Sequence, residues 1–291
     1  MRISTEIESA ASLVGEEKAV EYVARAGFDA WDFSMFGMCR WDWNAGAPYD
    51  TPHPLKESGY LAFARRLKQI GLDNGIVCNQ THAPFPSDPP LMKDYLMRAI
   101  ECTAEVGARI CIIHPYTSLA NCKELRQNVE FYQSLLPFAR ECGVTIATEN
   151  MWRWDKESDR AIFATCASAE SFNEILDAVG DPGLVACLDI GHAEMMGELT
   201  SAVEMIHALG KRLKALHVHD NDKHKDLHQI PFSMNINFTE VTRALAEVGY
   251  DGDITLECDR YLSAYTAENA LDGLRKMAEC AVKIKEMVLS K

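Results

Sequence analysis

Along this chain, short apolar runs alternate with longer amphipathic ones, and glycine marks most of the changeovers. The apolar runs predict strands over Arg2–Ile7, Phe28–Ser34, Ile76–His82, Arg109–His114, Val144–Glu149, Leu184–Asp189, Leu213–His217 and Asp253–Glu257. Runs of this length between turn signals are strand-like, and the amphipathic stretches between them are helix-like. Seven of the helical stretches run into a glycine before the next strand: Gly27, Gly71, Gly107, Gly143, Gly180, Gly210 and Gly249. Glycine just past a helix end closes the last turn in a left-handed conformation without a Cβ penalty. Ser201 with Glu204 predicts a capping box, and Asn237 with Glu240 a weaker one. A long amphipathic helix, roughly 267–289, follows the last strand.

Eight strands alternating with helices in 291 residues is the arithmetic of an α/β chain folded as a (β/α)8 TIM barrel. An open doubly wound sheet would more often carry a glycine-rich phosphate loop after its first strand, and none is present. The longer connections, Phe36–Pro54 and Pro115–Asn121, read as insertions in βα loops. We therefore expect residues 1–291 to form a single catalytic barrel domain.

In such a barrel the active site lies at the C-terminal strand ends. Six of the eight ends carry a metal-ligand type: His82, His114, Glu149, Asp189 (with His192 just beyond), His217 and Glu257. Two-residue steps back from four of these reach Ala147 and Thr145, Cys187 and Val185, Ala215 and Leu213, Thr255 and Asp253, side chains suited to a crowded interior. The opposite parity gives Ile146, Leu188, Leu216 and Leu256, suited to packing on helices. The ligand types therefore face inward. The densest stretch is Leu213–His228, which ends in His217, His219, Asp220, Asp222, His224, Asp226 and His228. Imidazole and carboxylate are the usual ligands of a divalent metal; a polar, histidine-rich surface loop is the plain alternative. For Glu149 and Glu257 that alternative is a carboxylate tied to Arg153 or Arg260. His219 is expected to support a ligand, His207 to be structural, and His53 and His224 to be exposed. Trp41, Trp43, Trp152 and Trp154 fall in βα loops, as a platform for sugar C–H faces or as lid or interface residues.

Composition narrows the partners. A net charge of −14 repels phosphate backbones, which makes nucleic acid an unfavourable partner. No apolar run approaches the ~20 residues that cross a bilayer, and MRISTEIESA has no signal-like apolar region. The 10 cysteines form no C-x-x-C pair, and Cys78, Cys111, Cys187 and Cys258 sit in apolar runs. That pattern predicts reduced cysteines in a cytoplasmic protein, with no zinc–thiolate site.

Four motifs at these strand ends carry a resemblance: TEN at Thr148–Asn150, LDIGHA at Leu188–Ala193, HVHDND at His217–Asp222 and TLECD at Thr255–Asp259. In this order the chain resembles, over its whole length, the superfamily of xylose-isomerase-like barrels. That superfamily includes sugar (phosphate) isomerases, ketose 3-epimerases, inosose dehydratases and endonuclease IV. Resemblance to the epimerase branch implies one divalent metal on Glu149, Asp189, His217 and Glu257, with His192 on substrate hydroxyls. Trp152 and Arg153 are further substrate-contact candidates. The oxygen-rich set favours Mn2+, Co2+ or Mg2+ and leaves Zn2+ open. Resemblance to the endonuclease branch implies three zinc ions on nine ligands, and His82, His114, Glu149, Asp189, His192, His217, Asp226, His228 and Glu257 match all nine. Against that branch stand the charge, the lack of a Lys/Arg cluster in a βα loop, and Gln229–Phe238, which contains no glycine where a glycine-rich turn is called for.

The expected activity is a metal-dependent sugar or sugar phosphate isomerase or epimerase. Glu149 and Glu257 would move a proton beside a carbonyl through a metal-stabilised enediolate. The alternatives are a trinuclear-zinc phosphodiesterase and a keto-sugar dehydratase or lyase. A sugar-binding barrel without catalysis would be expected to lack one of the two glutamates. The expected partner is a small sugar or sugar phosphate, with homo-oligomerisation left open.

Overall fold

A computed structural model describes residues 1–117, 122–195, 197 and 200–290. The end of the Pro115–Asn121 connection lies outside the described residues. Eight parallel strands are present: β1 (Ile3–Thr5), β2 (Ala30–Ser34), β3 (Val77–His82), β4 (Ile110–Ile112), β5 (Thr145–Glu149), β6 (Leu184–Asp189), β7 (Leu213–His217) and β8 (Ile254–Leu256). β2 to β7 pair in sequence order as one sheet, and β1 pairs with β8. The ring closes through isolated parallel bridges, Glu6 to Asp32 and Val218 to Leu256. All eight predicted strands are found, and the fold is a (β/α)8 TIM barrel.

The helices outside the ring are α1 (Glu16–Ala26), α2 (Tyr60–Asp73), α3 (Met92–Val106), α4 (Cys122–Glu141), α5 (Ala169–Val179), α6 (Ala202–Leu209), α7 (Phe238–Glu247) and α8 (Ala270–Leu289). Gly27, Gly107 and Gly180 end their helices in the left-handed conformation. Gly71 does not. It is buried inside α2, where an added Cβ would lie 3.1 Å from both the Ile76 carbonyl oxygen and the Trp31 indole nitrogen. Its role is close helix–strand approach, and the left-handed turn falls to Gly75 instead. Ser201 caps α6 by accepting from the Glu204 amide. Asn237 makes no side-chain cap at α7, whereas Ser168 and Ser171 form a reciprocal capping box at α5.

Among the described residues the core forms one large cluster and two small ones. Leu188, Leu216, Leu256 and Ile146 pack outward with the helices. Ile112, Ala147, Cys187 and Ala215 form a small cluster inside the barrel. Two residues expected inside lie elsewhere. The pairing of β6 with β7 shifts register after Ala186, so Leu213 turns to the outer core. Asp253 sits at the lower rim and pairs with Arg2. The interior is filled by small side chains beneath the strand ends, which leaves room above them. Ala215→Leu should overpack this layer and lower the unfolding free energy by about 1–3 kcal/mol, read as a shift of the urea midpoint.

Candidate metal centre

Hydrogen bonds at the C-terminal mouth determine which atoms face its centre. Asn150 ties β5 to β6 twice, its side-chain oxygen accepting from the Asp189 amide and its side-chain nitrogen donating to the Asp189 carbonyl. That gives the asparagine of the TEN motif a positioning role. Asp189 caps the short helix Ile190–Glu194 by accepting from the His192 amide with one oxygen. Its other oxygen is buried and has no hydrogen-bond partner. His217 faces Asp32 with Nε2 (3.1 Å) and Glu149 Oε1 with Nδ1 (3.0 Å), and Glu257 Oε2 lies 3.5 Å from the same Nδ1. Gln80 donates to the same Asp32 oxygen. A histidine held by a carboxylate through one ring nitrogen presents the other as a ligand atom.

Glu149, Asp189, His217 and Glu257 thus offer ligand atoms that all lie within 4.8 Å of one another. A second group, His82, His114 and Glu149, shares the glutamate with the first, and a third is His192, His219, Asp226 and His228. Nε2 of His82 and His114 are 2.8 Å apart, with Glu149 Oε2 3.1 Å from His114. Every ion pair described for Glu149, Asp189 and Glu257 is to a histidine, not to Arg153 or Arg260. Buried carboxylates need pairing or a metal, and the set of three carboxylate oxygens and one imidazole nitrogen from Glu149, Asp189, Glu257 and His217 fits a divalent cation in ligand type.

The electrostatics follow from burial. Burial resists ionisation of Glu149, yet His217 and His114 hold its carboxyl well below the usual range. Burial, with Glu149 and Asp259 adding to it, pushes Glu257 up to about 8 against the pull of His217 and His228. Burial would depress His217, but Glu257 and Glu149 hold it well above its usual value. His82 is driven down by burial and by its neighbour His114.

Above these groups is a cavity of about 660 Å³. Its walls include Trp43, Phe36, Phe85, Trp152, Trp154 and Arg153. Trp43 packs on Phe85, 5.2 Å between ring centroids, and Trp152 lies 6.3 Å from His192. Two hairpins in βα loops carry the tryptophans, Trp41–Asp42 with Ala47–Pro48 and Trp152–Asp155 with Arg160–Phe163. Trp41 does not line the cavity. Arg153 donates to the Phe163 carbonyl.

Of the histidines outside the centre, His224 and His207 are exposed, and His207 pairs with Glu247. His53 is half-buried, not exposed: its ring accepts from the Leu55 amide and pairs with Glu16. Two central residues escaped the sequence reading. Asp32 is fully buried behind His217; its one signal was a carboxylate inside the apolar strand AWDFS. His219 was assigned a supporting role, yet its Nε2 stands among ligand atoms. The nine described cysteines are all free, and no helix among the described residues is long and apolar enough to cross a membrane.

Comparisons with known proteins agree with this architecture. An uncharacterized protein of Methanocaldococcus jannaschii is 26% identical over 93% of this chain and 88% of its own. A probable endonuclease 4 of Staphylococcus carnosus is 26% identical over 67% of this chain and 68% of its own. Among solved structures, a D-tagatose 3-epimerase-like protein superposes with a TM-score of 0.71 at 21% identity, covering 99% of this chain and 100% of that one. The IOLI protein, solved with a bound zinc atom, gives 0.73 at 16% identity, with all of both chains covered. The model of the xylose isomerase-like TIM barrel family matches residues 20–280, and the chain belongs to that family.

Proposed function

We propose that the chain is a metal-dependent sugar isomerase or epimerase. The observation that carries this reading is the convergence of Glu149, Asp189, His217 and Glu257 beneath an aromatic-walled cavity that Glu149 and Glu257 line. The 3-epimerase-like structural neighbour supports it. A divalent ion on those four side chains would supply Lewis acidity, polarising a carbonyl and offsetting the negative charge that builds beside it.

The chain's own residues do the rest. Glu149 and Glu257 flank His217 from β5 and β8, and their environments separate them: Glu149 is held ionised, Glu257 holds a proton more readily. That split belongs to the cation-free chain; with a cation on both carboxylates, one glutamate would take the proton from the carbon beside the carbonyl and the other would return one to the opposite face. Asp32 holds His217 in one orientation, and Asn150 holds the Asp189 backbone. Trp43, Phe85 and Trp152 offer ring faces to sugar C–H groups and help exclude water.

A second reading is a phosphodiesterase of the endonuclease 4 kind, favoured by the three adjoining ligand groups and the relative named above. The net charge of −14 opposes it, since it carries no term that attracts DNA.

One experiment separates the two. Metal-loaded protein incubated in heavy water with free and phosphorylated ketoses should place deuterium on the carbon beside the carbonyl. Glu149→Gln and Glu257→Gln should each lower that exchange by about 10²–10⁴-fold, the usual worth of a positioned acid or base. No exchange with any ketose, together with cleavage of abasic-site DNA, would establish the second reading instead.

Protons and cation should compete at this site. With Glu257 raised to about 8, the cation-free protein holds a proton there at neutral pH. Binding of Mn2+ should therefore release protons, with apparent affinity rising until about pH 8 and levelling above it. In chelated protein the same group binds its proton more tightly folded than unfolded. Its contribution to stability is therefore lost as pH rises from the ordinary carboxylate range through about 8. Calorimetric titration in buffers of different ionisation enthalpy reads the first effect, and thermal melts across pH the second.

A further inference from the structure

The cavity above the floor is larger than one sugar ring needs. The carbon–oxygen units of a hexose are each about the size of a water molecule, so the whole ring fills on the order of 200 Å³. The cavity holds about 660 Å³. Its aromatic rings stand in two tiers. The inner tier rests on the histidines of the mouth: Phe36 on His82 at 4.9 Å between ring centroids, Phe85 on His114 at 4.8 Å, and Trp152 beside His192 at 6.3 Å. The outer tier is one ring further out. Trp43, at the turn of the first hairpin, packs on Phe85 at 5.2 Å and is 63% exposed. Trp154 meets Trp152 edge-on at 6.5 Å and the exposed His224 at 5.4 Å. The two-residue step along its hairpin strand puts Trp154 on the same face as Trp152. Both outer tryptophans line the cavity. An indole left in water there forgoes apolar burial that a ligand ring would recover.

We propose that Trp43 and Trp154 form a second ring subsite at the cavity entrance, and that the substrate is a ketose joined through a glycosidic bond to a second, uncharged sugar ring. The identity of the reacting unit rests on the isomerase reading; the subsite extends that reading from one ring to two. The ketose unit reaches the floor past Phe85 and Trp152. The attached ring stays at the outer tier with a C–H face on an indole. Thr117 and Asp259 line the same cavity and offer oxygens to ring hydroxyls, which favours a sugar over a plain hydrocarbon. The connections after β2 and β5 supply one outer tryptophan each, so the strand-end groups are left to the reacting ring.

Binding tests this without turnover. Full-length protein loaded with Mn2+ is titrated calorimetrically with fructose and with three of its glucosides, maltulose, leucrose and isomaltulose. Each glucoside leaves the carbonyl and both neighbouring hydroxyls free. At least one should bind about 10-fold more tightly than fructose, as two added aromatic contacts would give. Trp43→Ala and Trp154→Ala should each lower the glucoside-to-fructose affinity ratio by about 3–10-fold, the worth of one aromatic face. Trp154→Phe, which keeps a ring face, should retain most of it. Equal or weaker binding of all three glucosides, or a ratio unchanged in both alanine variants, would overturn the subsite. Where a variant does not fold, acrylamide quenching of the parent decides. Protection of tryptophan by the glucoside beyond that given by saturating fructose supports the subsite, and equal protection overturns it. Solvent deuterium exchange on the same four sugars is read separately. A preserved binding ratio with no exchange on any of them sinks the isomerase reading and leaves the subsite standing. Exchange on fructose with no preference for a glucoside does the reverse.

Discussion

Burial of negative charge at the barrel mouth is the constraint on which the rest of this structure depends. Asp32, Glu149, Asp189 and Glu257 lie almost wholly out of solvent around one strand end, with imidazoles as their described ion partners. Carboxylates in low dielectric either pair, bind a cation or take up a proton. The cation-free chain does two of these at once, since His217 is driven towards its charged form while Glu257 moves towards its neutral one. A divalent ion held by Glu149, Asp189, His217 and Glu257 would relieve both strains, taking the place of the proton on Glu257 and meeting the His217 nitrogen that faces the two glutamates. Removing one partner of such a network would leave another charge uncompensated, which costs far more than an exposed pair.

The scaffold serves that constraint from below and from the sides. The interior layer of Ala147, Cys187 and Ala215 is narrow enough to be filled by small groups, so the strand ends above it converge. Polar positioning then removes freedom from each group that faces the centre. Asn150 grips the Asp189 backbone, and Asp32 holds His217. Asp220 accepts from the amides of Asn221, Met234 and Ile236. With that one carboxylate the long connection after β7 gains a fixed shape without the glycine-rich turn its position would call for.

Much of this was legible in the sequence because barrel strands obey a two-residue parity, and ligand types at their ends inherit its direction. Parity failed at Leu213, where a register shift in the pairing of β6 and β7 reverses a residue's face. A shift of that kind leaves no mark in an apolar run. Gly71 was misplaced because a glycine late in a helix looks the same whether it ends the helix or lets a tryptophan approach it. Asp32 was passed over because a single acid in an apolar strand acquires meaning only when the strand two-thirds of the chain away brings His217 to it. His219 shares parity with His217 but lies past the strand, where direction is set by what Gly191 leaves open. Parity carries information only while the chain remains in the sheet.

The same distinction divides the ligand types at the mouth into two groups of different chemistry. Strand-end residues supply the floor, three carboxylates and His217, with Glu149 and Glu257 lining the aromatic cavity. Residues beyond the strand ends supply the neighbouring group, rich in imidazole. Oxygen ligands favour ions that exchange water and bind carbonyl or hydroxyl oxygens, whereas imidazole favours zinc-like ions. The aromatic walls of the cavity favour a sugar there, and the −14 charge favours a substrate with few phosphates.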